Sequence, residues 1–145
     1  MGITASRSPA EIDDRWDQDD ALVHDAALAF TLESDDKMLR ARPMQMADVD
    51  SASAICNRAF NEFNLSVGLS LEFPPRETND IPKIYYTKGA TPGSGNAGFV
   101  AVNDRDEVVG ANMLHYPDGV GGIGPLCSSA PGAGRLVMKA AMKAA

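Results

Sequence analysis

The stretch from Asn103 to Ala145 constrains the fold most, because a turn, two Gly-punctuated strands and a helix start follow one another there without a gap. Asn103-Asp104-Arg105-Asp106-Glu107 joins the apolar runs Gly98–Val102 and Val108–His115 and reads as a hairpin. Asp118-Gly119 marks a second turn that returns the chain into Val120–Cys127. Ser128 to Gly134 is then a loop of small residues feeding a helix that starts near Gly132. Such a loop leaves the first N–H groups of the helix unpaired beside the positive end of its dipole, an arrangement that suits a pyrophosphate. Leu136, Val137, Ala140 and Ala141 fall on one face of that helix, with Lys139 and Lys143 on the other. Met142-Lys143-Ala144-Ala145 carries no Gly or Pro stop, so the pattern reads as interrupted rather than finished.

Upstream, Met38–Pro43 alternates as a short strand ended by proline. Val49, Ala52, Cys56, Ala59, Phe60 and Phe63 then recur at three-and-four spacing and predict a helix with one apolar stripe. Asp48 belongs in its first turn, where a carboxylate meets free N–H groups and the favourable end of the dipole. Asn64–Pro75 is a loop with apolar anchors, and a shorter helix over Ile81–Lys88 is closed by Gly89. Residues 1–37 form a separate acidic leader, expected to be mostly disordered with a short helix at Ala21–Phe30, and 38–145 form the domain.

The chain has 145 residues, enough for one domain with a real core, and 13 basic against 20 acidic residues give a net charge of −7. Nucleic-acid and membrane partners are not expected, because both need clustered Lys and Arg. No apolar run approaches the roughly 20 residues that span a bilayer, and no secretory signal is expected at the N-terminus. Cys56 and Cys127 fall in different predicted elements and suggest no disulfide framework, so a reducing, cytoplasmic setting is expected. His24 and His115 lie far apart without neighbouring cysteines, and no metal site is expected.

The order strand, helix, looped helix, hairpin, further strand, Gly loop, helix resembles the N-terminal two-thirds of the GNAT N-acetyltransferase superfamily. Leu39-Arg40-Ala41-Arg42-Pro43 with Ala47-Asp48-Val49 is similar to that superfamily's opening strand and first helix. Glu72-Phe73-Pro74-Pro75-Arg76-Glu77, Val109–Leu114 and Gly122-Ile123-Gly124-Pro125 add to the likeness, which covers residues 38–145. The resemblance implies an α+β fold: a mixed, mainly antiparallel sheet of about four strands flanked by helices, with the C-terminal strands and helix of the family absent. It also implies acetyl-CoA as cosubstrate and a small-molecule or peptide amine as acceptor. Strand four of the family maps to Ile123–Cys127, whose edge at Leu126 and Cys127 would meet the pantetheine arm. A backbone N–H there could hold the thioester oxygen as charge develops on it. The family's pyrophosphate motif, Gln or Arg, two residues, Gly, one residue, Gly or Ala, maps to Ser129-Ala130-Pro131-Gly132-Ala133-Gly134, followed by Arg135. Its glycines match, whereas serine replaces the long side chain at the first position. A P-loop is excluded, because Gly134-Arg135-Leu136 lacks the Lys-Ser/Thr pair, and a dinucleotide fingerprint fails for want of its third Gly.

The implied reaction is direct attack of an amine on the thioester, which needs a proton acceptor and an acid for the thiolate. His115 is of the right type for proton transfer near neutrality. Glu72 and Glu77 border the acceptor side in this fold, Cys127 reads as a small buried residue, and Tyr85 and Tyr86 read as packing. No catalytic residue is singled out. Two other readings stand beside the transferase: a non-catalytic remnant that self-associates through an exposed strand edge, and an unrelated α/β binding module whose Gly loop only caps a helix.

Overall fold

The computed structural model of the chain describes residues 31–34, 38–73, 81–115 and 120–145. Two neighbouring strands organise them. Val100 and Val102 in β3 (Asn96–Val102) face one side of the sheet, and Phe99 and Ala101 face the other. β4 (Val108–His115) pairs antiparallel with β3 over its whole length, from Asn96 opposite His115 to Val102 opposite Val108. Ala97 to Val102 and Gly110 to Leu114 are buried without interruption. The two strands are therefore covered on both faces, which explains why they read as continuous apolar runs and not as alternating ones.

The remaining strands add to this pair. β1 (Leu32–Glu33) pairs with β2 (Arg40–Pro43), and β2 with β3. On the other side β4 pairs first with β5 (Gly122–Ile123) and then with β6 (Cys127–Ser128). The described sheet thus has six strands, all pairings antiparallel, where the resemblance implied about four. Leu32 and Glu33, counted with the acidic leader, belong to this sheet, and the helix expected at 21–30 lies outside the described residues.

Three α-helices enclose the sheet among the described residues: α1 (Val49–Ser66) and α2 (Ile81–Ala90) on one face, α3 (Ala133–Ala144) on the other. α1 buries Val49, Ala52, Ile55 and Cys56 against Val100, Val102, Ala111 and α2's Tyr86. α3 buries Leu136, Val137, Ala140 and Ala141 as its periodicity predicts, and Lys139 and Lys143 are exposed. Small residues let the layers come close. A Cβ on Gly89 would lie 3.0 Å from the Gly98 Cα, so α2 rests almost directly on the β3 backbone. Gly89 therefore sits inside α2 as a packing surface and does not close it. The stripe of α1 also departs from expectation at its far end: Phe60 and Phe63 are exposed, because α1 outruns the sheet.

The entry to α1 is fixed by one charged pair. Asp48 accepts bonds from Arg42 Nη1 at 2.6 Å and Nη2 at 3.0 Å, and from the Gln45 N–H at 2.7 Å. It thereby ties β2 to the single 3₁₀ turn Met46–Asp48 that leads into the helix. Asp48 is 7% exposed, so its carboxylate depends on these donors for solvation. Replacing it with Ala leaves a shielded guanidinium without its partner and should cost about 2–3 kcal/mol in urea unfolding. A loss below about 0.5 kcal/mol would show an ordinary surface pair instead.

Candidate functional site

The free edge of the sheet is broken in the middle. The Gly124 N–H donates to Met113 O at 2.8 Å, and Cys127 pairs with Ala111. Pro125 and Leu126 therefore face a single residue, Asn112, which makes a β-bulge in the outer strand. The strand expected over Ile123–Cys127 is thus corrected to two short strands flanking this bulge. Pro125 has no N–H to give to a ladder, and the Gly124–Pro125 peptide is cis. Leu126 N has no acceptor among the described residues, and no described strand covers the outer edge of β5 or β6. The hydrogen-bonded pairs alternate, so the bond from Ser129 N to Val109 O at 2.8 Å puts Ser128 at a position whose backbone faces that open edge.

Behind the bulge the side chains part. Leu126 turns to the α3 side and packs with Ala133 and Val137. Cys127 turns to the α1–α2 side and joins Cys56 and Tyr86. The Tyr86 hydroxyl lies 3.2 Å from both Pro125 O and Cys127 Sγ. When it donates to the carbonyl it accepts from the thiol, so it fastens both sides of the bulge to α2. Burial, then the charge a neighbouring thiolate would carry, pushes the Tyr86 hydroxyl far above its ordinary range. The neighbouring Cys56 thiol, then burial, pushes the Cys127 thiol up. Both stay protonated at neutral pH, which rules them out as bases there. Asn112, fully buried, accepts from the Met113 N–H at 2.9 Å, and its Nδ2 has no acceptor among the described residues.

Past β6 the chain turns into α3 through Gly132, at φ 83°, a left-handed conformation that glycine adopts without a Cβ clash. Ala133 N bonds to Ala130 O and Leu136 N to Gly132 O, whereas the amides of Gly134 and Arg135 have no described acceptor. Ala133 is fully buried against the sheet and Arg135 is exposed. Ser129 is exposed, and its hydroxyl donates to Val109 O at 3.3 Å. Of the residues the resemblance singled out, Leu126, Ser129, Gly132, Gly134 and Arg135 gather around the α3 N-terminus. Ala133 supports them from below, and the Cys127 side chain lies on the opposite face.

On that opposite face is an open cleft of about 340 Å³. Cys56, Phe60, Phe73, Ile81, Pro82, Tyr85, His115, Gly124 and Pro125 line it. Phe60 and Phe73 meet edge to face, with centroids 5.9 Å apart and planes at 74°. The Asn61 side chain fixes Phe73 there, donating to its carbonyl and accepting from its N–H, both at 2.8 Å. His115 reaches the cleft by lying across Gly122, its ladder partner, where any Cβ would overlap the imidazole. Glu72 is exposed and bonded by Asn64 Nδ2, away from the cleft lining, and Glu77 lies outside the described residues. Sequence reasoning missed Asn61 and the tie between Tyr86 and the bulge, which act across the chain, and the buried Asn112. Among the described residues no cluster of His, Cys, Asp and Glu could hold a metal, and no helix is long and apolar enough to cross a membrane.

No protein-family model matches the chain, and no curated protein matches it.

The protonation of the Tyr86–Cys127 pair has a pH consequence. Folding raises both pKa values, so above the ordinary thiol and phenol ranges, about 8.5 and 10, the unfolded chain binds fewer protons than the folded one. The contribution of these two groups is then fully present at neutral pH and falls as the pH rises through this window, opposed in part by Cys56, whose thiol the contact with Cys127 holds below its ordinary range. A double variant, Tyr86→Phe with Cys127→Ala, should start lower at pH 7, by about 1–3 kcal/mol. Its urea midpoint should then decline less between pH 8 and 11 than that of the parent. Parallel declines would mean that other groups set the alkaline limb.

Proposed function

We propose that this domain is an N-acetyltransferase of the acyl-CoA-dependent kind, moving an acetyl group from acetyl-CoA to an amine. The observation that carries the reading is the bulged free edge of β5–β6, which links the α3 N-terminus to the cleft. The residues present suit a nucleotide-linked thioester. The open amides of Gly134 and Arg135 would receive the pyrophosphate, with Arg135 supplying positive charge. The edge groups of Ser128 and Leu126 would pair with the amide-bearing arm, leaving the acyl end at the bulge beside Gly124 and Pro125. There the Leu126 N–H is free to stabilise a developing oxyanion. The nitrogen of the acceptor attacks the carbonyl carbon, the C–N bond forms, the C–S bond breaks, and the sulfur leaves as a thiol after taking up a proton. His115, on the cleft wall, is the group that can receive the proton the amine gives up. Tyr86 is a positioning residue that holds the bulge from behind.

The test is calorimetric titration of the full chain with acetyl-CoA, with S-acetylpantetheine as the control that lacks the pyrophosphate. Acetyl-CoA should bind at least tenfold tighter. Gly132→Ala, which must adopt φ near 83° with a Cβ, should cost about 1 kcal/mol of stability. It should also erase most of the advantage of acetyl-CoA over the control. If a folded chain binds neither compound, the enzyme reading is withdrawn.

A second reading is favoured by Val120 and Ile123, 70% and 43% exposed beside the uncovered edge. Two copies pairing along β5 would cover both the apolar side chains and the free backbone. In that case the elution volume on a sizing column should fall as protein concentration rises, and Ile123→Lys should abolish the shift. A concentration-independent monomer would remove this reading.

A further inference from the structure

We infer that Cys56 and Cys127 are a redox-active thiol pair, closed to a disulfide by a peroxide that reaches Cys56 from the cleft. The inference is independent of the transferase reading. These are the two cysteines of the whole chain, and the fold brings them into one core cluster from α1 and from β6. The two thiols are in contact, and the Tyr86 hydroxyl, 3.2 Å from Cys127 Sγ, completes the cluster. Their surroundings differ in one respect. Cys56 belongs to the cleft wall, with Phe60, Pro82 and Pro125, and Cys127 is not among the described lining residues. Both side chains are otherwise buried, at 1% and 3% exposure, so the cleft decides which thiol an oxidant meets first. A cleft of about 340 Å³ admits a molecule little larger than water, such as hydrogen peroxide.

Each thiol's place in the cluster assigns its role. Contact with Cys127 holds the Cys56 thiol below its ordinary range, and the same contact, then burial, pushes the Cys127 thiol up. The thiolate is the nucleophile toward a peroxide, so the thiol on the cleft wall attacks first. The Cys56 sulfur bonds to one peroxide oxygen and the O–O bond breaks. The hydroxide released takes up the proton that Cys56 gave up and leaves as water. Cys56 is then a sulfenic acid. The Cys127 sulfur attacks the Cys56 sulfur, the S–S bond forms and the S–O bond breaks. The hydroxyl departs with the Cys127 proton as a second water. Two thiols and one peroxide thus become one disulfide and two waters, with two electrons passing from sulfur to oxygen. The product ties α1 to the strand that flanks the bulge, and a small thiol reductant reopens it by exchange.

The experiment treats the full folded chain at pH 7 with hydrogen peroxide, then unfolds it and blocks the remaining thiols with N-ethylmaleimide. Peptides are mapped by mass spectrometry, because the seven methionines also take up oxygen. The expected product is a Cys56–Cys127 cross-linked peptide formed within one chain and lost on treatment with dithiothreitol. Cys127→Ser should stop the reaction at a Cys56 sulfenic acid, trapped by dimedone. Cys56→Ser should slow the oxidation of Cys127 at least tenfold. A measurement on the parent chain needs no variant: brief iodoacetamide treatment of the folded protein should alkylate Cys56 at least tenfold faster than Cys127. Equal labelling, or labelling of Cys127 first, overturns the inference. So does a Cys56 sulfinic acid without the cross-link, a disulfide between chains, or oxidation that proceeds only at urea concentrations that unfold the protein.

Discussion

The β3–β4 ladder is the constraint on which the other elements depend, because it is buried on both faces and its backbone groups must pair with each other. Once Val100 and Ala111 face α1, Phe99 and Leu114 must face α3, since neighbouring side chains on a strand point opposite ways. The positions of the helices follow from that alternation. Gly98 and Gly110 thin the ladder where a helix presses closest, Gly98 under α2 and Gly110 under Ala133 of α3. Because one edge of β4 is occupied by β3, the chain that returns along the other edge can vary its pairing without disturbing the core. The bulge occurs there.

That position gives the bulge its properties. In the middle of a sheet, two residues opposite one would leave buried backbone groups unpaired on both sides. At the free edge the inner side is still served, by Gly124 N bonding to Met113 O, and the outer side is left for solvent or a ligand. The carbonyl of Pro125 is turned back toward the protein, and Tyr86 meets it. A buried hydroxyl on α2 thus substitutes for a missing strand on that side. The unpaired Nδ2 of Asn112 sits behind the same irregularity, which is where a disrupted ladder would be expected to leave a polar group short of a partner.

What the sequence revealed and what it hid divide by range of interaction. The stripe from Val49 to Ala59 and the faces of α3 were legible, because periodicity reports burial against a continuous surface. The same rule misread Phe60 and Phe63, where the period continues but the sheet beneath has ended, and the apolar face becomes a cleft wall at Phe60 and exposed surface at Phe63. Gly124-Pro125 carries a local signal of a broken strand, and the strand mapped over Ile123–Cys127 ran through it. Gly89 gave the signal of a helix stop but serves a contact with Gly98, which only the fold reveals. Asn61 with Phe73, and Tyr86 with Cys127, had no local signature, since their partners lie 12 and 41 residues away. The site was therefore visible as a loop and invisible as a cleft.

The two halves of the candidate site are also physically separate in a way their adjacency in sequence conceals. Leu126 and Cys127 are neighbours along the chain and were grouped as one contact surface, yet their side chains enter opposite layers. The loop half, with Gly132 to Arg135, is built on α3, and the cleft half is built on α1 and α2. Between them lie the central sheet and, at its open edge, the backbone of the bulge, whose side chains enter both layers. A side chain changed in the cleft can alter what binds there without reaching the α3 N-terminus, and a change at Gly132 leaves the cleft wall in place. A change at Tyr86 is different, because its hydroxyl bonds to the backbone they share. The stretch from Gly124 to Ser128 is the shortest backbone path between the halves at the open edge.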